Sequence, residues 1–134
     1  MKKILITGGA GYLGSVLANH LLDKNYKVTV LDNLMYNQTS LLHLCGNKNF
    51  NLIKGDVTNK ELLINLVNKN DIIIPLAAIV GAPACDADKE LATKVNFIQI
   101  KDIVDNLRDN QKLIMPNTNS QYGSSEDIIT EDSP

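Results

Sequence analysis

Thr7-Gly8-Gly9-Ala10-Gly11-Tyr12-Leu13-Gly14 is the stretch that decides the fold of this chain. It follows a short apolar run, Ile4-Leu5-Ile6, which indicates a buried strand, and it precedes apolar residues at helical spacing: Leu13, Val16, Leu17 and Leu21. Spaced glycines between a strand and a helix allow a tight turn, let backbone N–H groups approach a pyrophosphate, and let the helix pack closely. The helix N-terminus adds unpaired N–H donors and a partial positive charge. The stretch therefore predicts a dinucleotide-binding turn, with an ordinary strand-to-helix turn as the alternative.

A second apolar run, Lys27-Val28-Thr29-Val30-Leu31, ends in an acidic residue, Asp32. About 20 positions beyond the glycines is where a carboxylate binds the ribose hydroxyls of NAD. Asn33 follows, and no Arg or Lys lies in the next few positions to neutralise a 2′-phosphate. We therefore expect NAD rather than NADP. The alternative for Asp32 is a solvated loop carboxylate or a helix cap.

Apolar runs alternate with helical patterns along the rest of the chain. Strands are predicted at residues 3–7, 27–31, 50–53, 72–74 and 112–115, and helices at residues 11–23, after an N-cap at Thr58, and at 88–107. The last of these, the long helix, is predicted to carry one apolar face, formed by Leu91, Val95, Ile98 and Val104. This alternation predicts an α/β fold, a Rossmann-type parallel sheet with helices on both faces. Residues 1–116 would form the dinucleotide-binding domain, and residues 117–134 would begin an active-site loop region.

The predicted topology brings several motifs to one edge of the sheet. The carboxyl ends of parallel strands share an edge, and ligands of open α/β sheets bind there. The glycine turn and four further sites follow strands in this sequence: Asp32, Asp56, Ala77-Ala78 and Thr118. We therefore expect them to line one crevice.

Composition places the chain among soluble globular proteins. It has 134 residues and a formal net charge of −2, and its basic residues are scattered, so no nucleic-acid footprint is present. The two cysteines cannot form a disulfide framework, and neither they nor the two histidines have metal-ligand spacing, so no metal is expected. The longest apolar stretch, residues 72–84, is interrupted by Pro75, Gly81 and Pro83 and is too short to span a membrane. We expect a cytoplasmic protein without a signal peptide.

With these motifs in this order, the chain resembles the extended short-chain dehydrogenase/reductase family, in particular its NAD-dependent epimerases and dehydratases of nucleotide sugars. Gly8, Gly11 and Gly14 match the spaced glycines of that family's dinucleotide motif, and Tyr12 and Leu13 lie within it. Leu31-Asp32-Asn33 matches the ribose-binding strand end, and Gly55-Asp56-Val57 matches the adenine-binding turn. The resemblance implies that the Asp56 carboxylate accepts from the adenine amino group and that the Val57 N–H meets a ring nitrogen. A cap preceding a helix is the alternative for Asp56.

Three further matches lie toward the nicotinamide end. Leu76-Ala77-Ala78 matches the family's turn along the cofactor phosphates and nicotinamide ribose, although this chain has Pro75 where the family often has His. Asn96 matches an Asn on the long helix behind the nicotinamide, with an exposed polar helix residue as the alternative. The stretch Thr118-Asn119-Ser120-Gln121-Tyr122-Gly123 matches the motif after strand five. The resemblance gives Thr118 a catalytic role, a hydrogen bond to the reacting sugar hydroxyl.

The resemblance also implies a catalytic Tyr-x-x-x-Lys, which these 134 residues do not contain in the required place. Residues 129–134 resemble the segment that leads to it, so the Tyr and Lys are expected beyond Pro134. In that family the Tyr takes a proton from the sugar hydroxyl, and it needs help from the Lys because a Tyr titrates near 10. We therefore expect the N-terminal portion of a longer enzyme, which binds NAD but does not turn over a sugar alone.

The residues after Thr118 favour an epimerase or a reductase over a dehydratase. Family dehydratases carry Asp and Glu there as acid and base, whereas this chain has Asn119 and Ser120, and Asn cannot act as a general acid. The expected activity is hydride transfer between a carbon of a nucleotide sugar and bound NAD, in an epimerase-type oxidoreductase. A dehydratase, a reductase or a non-catalytic NAD-sensing module are the alternatives. Family members often dimerise through the long helix, so the resemblance allows a homodimer.

Overall fold

The computed structural model describes residues 1–118 and residue 130. Within this part of the chain a parallel sheet has the strand order β3-β2-β1-β4-β5. Its strands are β1 (Lys3–Thr7), β2 (Lys27–Asp32), β3 (Phe50–Lys54), β4 (Ile72–Pro75) and β5 (Lys112–Leu113). This is the strand order of the doubly wound dinucleotide-binding fold, and it confirms the α/β class predicted from the alternating pattern.

Helices and short helical turns connect the strands. They are α1 (Tyr12–Asp23), a 3₁₀ turn (Leu42–Leu44), α2 (Lys60–Lys69), α3 (Ala82–Ala87), α4 (Lys89–Thr93), a π turn (Lys94–Ile98) and α5 (Gln99–Asp105). The chain enters β2 through Asn25 at φ +61°, the left-handed conformation that commonly ends a helix. Across residues 1–118 and 130, no helix is long and apolar enough to span a bilayer.

The two faces of the sheet carry separate hydrophobic cores, because neighbouring residues of a strand point to opposite faces. Ile4 and Ile6 of β1 pack with Ala18 and Leu22 of α1 on one face. Leu5, between them, packs on the other face with residues of β4, α2 and α5, among them Ile73, Leu63, Val67 and Ile103. All three β1 residues are at most 2% exposed, as expected for a central parallel strand.

The face that α1 buries matches the apolar spacing seen in the sequence only in part. Leu13 and Val16 are 54% and 60% exposed, whereas Gly14, Ala18 and Leu22 are buried. Gly14 and Ala18 have little or no side chain, so the helix backbone lies close to the glycine turn and the sheet. The other two apolar residues of the spacing do pack against the core, so the spacing predicted the helix and part of its buried side.

The N-cap of α2 is Asn59, not Thr58, which corrects the prediction. The Asn59 side-chain oxygen accepts a hydrogen bond from the Leu62 N–H at 3.1 Å, and the helix begins at Lys60. Thr58 instead donates its amide and its hydroxyl to Oδ1 of Asp56. Thr and Asn both cap helices. The Asp56 carboxylate decides between them, because it already binds the amide and the hydroxyl of Thr58.

The predicted long helix runs from Lys89 to Asp105 as α4, the π turn and α5 in succession, and part of its predicted buried face is exposed. Leu91 and Val95 face the sheet as expected, but Ile98 and Val104 are 39% and 50% exposed. A π turn adds a residue to a helical turn and so rotates the face that follows it. Beyond the Lys94–Ile98 turn the buried side is therefore that of Gln99, Asp102 and Ile103.

Four strand ends differ from the predicted bounds: β2, β3 and β4 each run one residue further, and β5 ends two residues earlier. β4 runs to Pro75, whose Cα is in register with Thr7, so the proline lies in the last position of the strand. β5 covers only Lys112–Leu113, although the Ile114 N–H still donates to the Ile73 carbonyl at 2.9 Å. The loops that follow β4 and β5 nevertheless lie at the same edge of the sheet as the glycine turn.

Candidate functional site

The glycine turn between β1 and α1 is built from close backbone contacts. Gly8 has φ +67°, and a Cβ placed there would lie 2.5 Å from the Ala77 nitrogen. A Cβ at Gly14 would lie 2.5 Å from the Gly9 Cα. A Cβ at Gly11 would meet the Gly8 oxygen at 3.4 Å, an ordinary contact. The fold therefore requires glycine at positions 8 and 14, whereas nothing among the described residues requires it at position 11.

The N-terminus of α1 leaves backbone donors unused. Gly11 is the N-cap without a side-chain cap, and the first intrahelical bond runs from the Ser15 N–H to the Gly11 oxygen at 3.0 Å. Among the described residues, the N–H groups of Tyr12, Leu13 and Gly14 have no acceptor. The first turn also carries no acidic side chain. Such an end attracts an anion through its N–H groups and the helix dipole.

Asp32 lies at the end of β2 and is 7% exposed. Its Oδ2 accepts from the Ala10 N–H in the glycine turn at 2.9 Å, and its Oδ1 accepts from the Leu34 N–H at 2.8 Å. A carboxylate can accept about four hydrogen bonds, so capacity for further donors remains. The carboxylate thus joins two loops of the site while it lines a cavity between them.

Asp56 follows β3 and collects three hydrogen bonds. Its Oδ1 accepts from the Thr58 amide at 2.8 Å and hydroxyl at 2.7 Å, and its Oδ2 accepts from Asn33 Nδ2 at 3.2 Å. Partial burial alone raises the pKa of the Asp56 carboxyl, but these hydrogen bonds outweigh it and hold that pKa below its usual range. Asp56 is therefore an ionised hydrogen-bond acceptor at neutral pH, and the adjacent Val57 N–H has no acceptor among the described residues.

The segment after β2 forms a wall of this cavity that sequence reasoning did not find. Met35, Tyr36 and Gln38 line the same cavity as Asp32 and Asp56. Ser40 closes the segment against the glycine turn, since its hydroxyl donates to the Ala10 oxygen at 2.7 Å. In the sequence these residues are an irregular polar stretch, and no pattern in it signals which of them face the cavity.

The loop after β4 is held from behind by two amide side chains of the long helix. Asn96 accepts from the Ile79 N–H and donates to the Ile79 oxygen, both at 2.8 Å. Gln99 Nε2 donates to the Ala77 oxygen at 2.6 Å. Sequence reasoning singled out Asn96 and missed Gln99, whose position on an apolar helix face gave no functional signal.

Two adjoining cavities run along the carboxyl edge of the sheet. The first, of about 200 Å³, is lined by Asp32, Asn33, Asp56 and Val57. The second, of about 650 Å³, is lined by the start of α1, Asn96 and the residues after β5. Both share Gly8, Gly11 and the segment Leu76, Ala77 and Ala78, so together they form one groove. The structure thus brings the sequence-predicted residues together at one edge.

Thr118 lies at the far end of the groove, in the lining of the second cavity with Met115, Pro116 and Asn117. Its N–H donates to the Asn117 side-chain oxygen at 2.9 Å. The rest of the motif after strand five, Asn119 to Gly123, lies outside the described residues, as do Ile129 and residues 131–134. The reaction type predicted from Asn119 and Ser120 therefore stays a sequence-based prediction.

The charge of the groove suits a dinucleotide without a 2′-phosphate. Within the described part of the chain, no Lys or Arg lines either cavity. A pyrophosphate would meet backbone N–H groups at the start of α1, in the space that the missing Cβ of Gly11 leaves open. Asp32 would repel a 2′-phosphate, and none of the described residues that line the groove carries a positive charge to offset it. The residues present therefore fit NAD.

Fold and site together define a dinucleotide-binding protein of the doubly wound α/β class. The sequence model of the NAD dependent epimerase/dehydratase family matches residues 4–134. The chain belongs to this family, which agrees with the resemblance seen in its motifs and with NAD as the cofactor.

Individual relatives support the same assignment. The chain is 33% identical over 132 residues to a UDP-N-acetyl-alpha-D-glucosaminuronate decarboxylase of Bacillus cytotoxicus, which covers 98% of this chain and 41% of that protein. It is 33% identical over 134 residues to a CDP-paratose 2-epimerase of Salmonella typhi, which covers 92% of this chain and 39% of that protein. The chain thus spans well under half the length of these relatives.

A solved structure of the same kind is similar throughout the chain. The UDP-glucuronic acid 4-epimerase from Bacillus cereus, in complex with UDP-glucuronic acid and NAD, superposes with a TM-score of 0.85 at 28% identity. The match covers 97% of this chain and 44% of that one. The activities in these names differ, so they define a family of nucleotide-sugar enzymes and not one reaction.

Proposed function

We propose that this chain is the NAD-binding part of an epimerase-type oxidoreductase that acts on a nucleotide sugar. The observation that carries the proposal is the continuous groove at the carboxyl edge of the sheet. It has unused N–H donors at the start of α1 and carboxylates at Asp32 and Asp56, and no Lys or Arg among the described residues lines it. Family membership and the NAD-containing structural relative support the same cofactor.

Each part of the groove has a role in this proposal. The N–H groups of Tyr12, Leu13 and Gly14 hold the pyrophosphate, in the space left at Gly11. Asp32 accepts from the adenosine ribose hydroxyls with its remaining lone pairs, and Asn33 holds Asp56 in place. Asp56 accepts from the adenine amino group, and the free Val57 N–H donates to a ring nitrogen. Leu76, Ala77 and Ala78 lie along the nicotinamide ribose, with Asn96 behind them.

Bound NAD supplies the acceptor and donor of hydride for the sugar carbon, and the protein orients the substrate and moves the proton. Thr118 lies at the end of the groove and can donate to or accept from the reacting sugar hydroxyl through its own hydroxyl. The residue that removes the proton is proposed to be the Tyr of a Tyr-x-x-x-Lys beyond Pro134. Asn119 and Ser120, in place of an acid–base pair, favour an epimerase or a reductase over a dehydratase.

The choice of cofactor is directly measurable. We expect NAD to bind at least about tenfold more tightly than NADP, because the 2′-phosphate would face Asp32 and no Lys or Arg of the described residues lines the groove to offset it. Isothermal titration calorimetry of the chain with each dinucleotide checks this ratio. Equal affinities, or tighter binding of NADP, would overturn the assignment of Asp32 to the ribose. If neither dinucleotide binds, the proposed function itself fails.

We further propose that the full-length protein forms a homodimer through the outer face of the long helix. Phe97 and Val104 are 61% and 50% exposed and lie two turns apart along the helix. Exposed large apolar side chains at helical spacing are typical of a helix that packs against a partner.

Phe97→Asp is expected to convert a dimer into a monomer in sedimentation velocity at micromolar concentration, because it places a charge in an apolar interface. Val16→Asp is the matched control, since Val16 is 60% exposed on α1, away from that face, and should leave the dimer intact. A monomeric wild-type protein, or a Phe97→Asp variant that remains dimeric, would contradict the proposed interface.

A further inference from the structure

Gln99 is a buried polar side chain that is only half satisfied. It is 1% exposed, and its Nε2 donates to the Ala77 oxygen at 2.6 Å. Its Oε1 is also buried and has no hydrogen-bond partner among the described residues. The bond to a carbonyl fixes the orientation of the amide, so the unpaired atom is the acceptor.

For stability alone, glutamine is a poor residue at this position. Gln99 sits on the buried side of the long helix, one turn from Val95 and one turn from Ile103, which are both part of the apolar core. An unpaired buried acceptor costs free energy, and an apolar side chain of similar volume would avoid that cost. A buried group of this kind calls for a reason outside the packing of the core.

The partner of Gln99 supplies that reason. Ala77 lies where the glycine turn, the end of β1 and the loop after β4 meet: the Ala77 N–H donates to Thr7 Oγ1 at 3.3 Å, and a Cβ on Gly8 would lie 2.5 Å from the Ala77 nitrogen. Ala77 also lines both cavities of the groove. Any shift of Ala77 therefore moves the wall that faces Gly8 and Gly11.

The π turn places Gln99 where it can reach this carbonyl. The helix residues that face the sheet are Leu91, Val95, Gln99 and Ile103, each four positions apart, which is a wider spacing than the 3.6 residues of an α-helical turn. Asn96, within the π turn, holds both backbone groups of Ile79. The two amides together fix the ends of the segment Ala77-Ala78-Ile79.

We propose that Gln99 is a positioning residue of the NAD site. It donates a hydrogen bond to the Ala77 carbonyl and thereby fixes the Ala77-Ala78 segment against the glycine turn. This role explains why the fold retains a buried acceptor without a partner among the described residues. Gln99 acts through Ala77 and does not touch the cofactor itself. The inference rests on the proposed NAD-binding function and adds to it a residue that the dinucleotide motifs do not contain.

Gln99→Met separates this role from a purely structural one, because Met has a similar length and removes both the bond to Ala77 and the unpaired acceptor. We expect the dissociation constant for NAD, measured by calorimetry, to rise about fivefold to tenfold. The urea midpoint of the NAD-free variant should stay equal to that of the wild type or increase. Hydrogen–deuterium exchange at residues 77–79 should be faster in the variant.

Gln111→Met is the matched control. Gln111 Nε2 donates to the Val67 oxygen at 2.7 Å and to the Asn70 oxygen at 2.6 Å, and its Oε1 accepts from the Arg108 N–H at 2.8 Å, so both ends of its amide are paired. It does not line the groove. Its replacement should lower the urea midpoint and leave NAD affinity unchanged.

Three outcomes of the Gln99→Met experiment would contradict the positioning role. Unchanged NAD affinity in Gln99→Met, or an affinity and a urea midpoint that fall together, would show that Gln99 serves packing only. A variant that fails to fold has the same meaning, because the proposal requires undiminished stability. If the wild-type chain itself does not bind NAD, the proposed function fails first and this inference with it.

Discussion

Replacing Gly11 with Ala is expected to weaken NAD binding about a hundredfold while the free energy of unfolding stays within about 1 kcal/mol of the wild type. Gly11 has φ −71°, which any residue adopts, and among the described residues a Cβ placed there would make one ordinary contact, 3.4 Å from the Gly8 oxygen. The free protein therefore accepts the methyl group. The same methyl group would occupy the space through which a pyrophosphate approaches the start of α1.

Calorimetry with NAD measures the affinity of this variant, and urea unfolding of the same preparation measures its stability. Gly46→Ala is the control, because a Cβ at Gly46 would have no neighbour within 4 Å in the described part of the chain, and Gly46 does not line the groove. Gly8→Ala and Gly14→Ala cannot replace Gly11→Ala, since both introduce backbone clashes at 2.5 Å and should unfold the chain. Wild-type affinity in Gly11→Ala would place the pyrophosphate elsewhere.

Asp32→Ala is expected to lower both stability and NAD affinity. The carboxylate accepts from the Ala10 and Leu34 N–H groups at 2.9 and 2.8 Å, and it is almost fully buried. Losing it leaves two backbone donors without their acceptor, which costs roughly 2–4 kcal/mol of unfolding free energy. The lost ribose contacts and the displaced glycine turn should together raise the dissociation constant for NAD by about thirtyfold or more.

A matched carboxylate at the opposite edge of the sheet separates these two effects. Asp71 Oδ2 accepts from the Lys3 N–H at 2.8 Å, far from the groove along the strand direction. Asp71→Ala should reduce the urea midpoint without changing NAD affinity in the folded protein. If Asp32→Ala behaves in the same way as Asp71→Ala, then Asp32 ties loops together and does not bind the ribose.

Much of the architecture was predictable because it depends on local patterns. The buried run Ile4-Leu5-Ile6, the glycine turn and Asp32 at the end of the next apolar run set the fold class, the cofactor and the edge where the site lies. Their spacing reflects the geometry of one strand–turn–helix–strand unit, which fixes the place of each of these residues in the fold. Gly8 with its positive φ and Asn25 at the end of α1 are further local features of this kind.

The wrong predictions, of the N-cap of α2 and of the buried face of the long helix, have a different cause. Asn59 replaced Thr58 as the cap of α2 because the Asp56 carboxylate, itself placed by the end of β3, binds Thr58. Ile98 was expected in the core, but a π turn rotated the helix beyond Val95. Val104, nine positions after Val95, would face away from Val95 even in a regular α-helix. In both cases a contact or a helical distortion outside the local pattern decided between residues that the pattern treats as equivalent.

The sequence by itself determined that this chain forms a parallel α/β sheet of the NAD dependent epimerase/dehydratase family, because local sequence patterns show the order of its strands, glycines and carboxylates. Only the tertiary structure decided which residues complete the groove: the wall from Met35 to Ser40, and the amides of Asn96 and Gln99 that hold the loop after β4. These contacts join residues 17 to 30 positions apart in sequence. Their partners depend on how helices and loops pack on the sheet, and no periodicity along the chain encodes that packing.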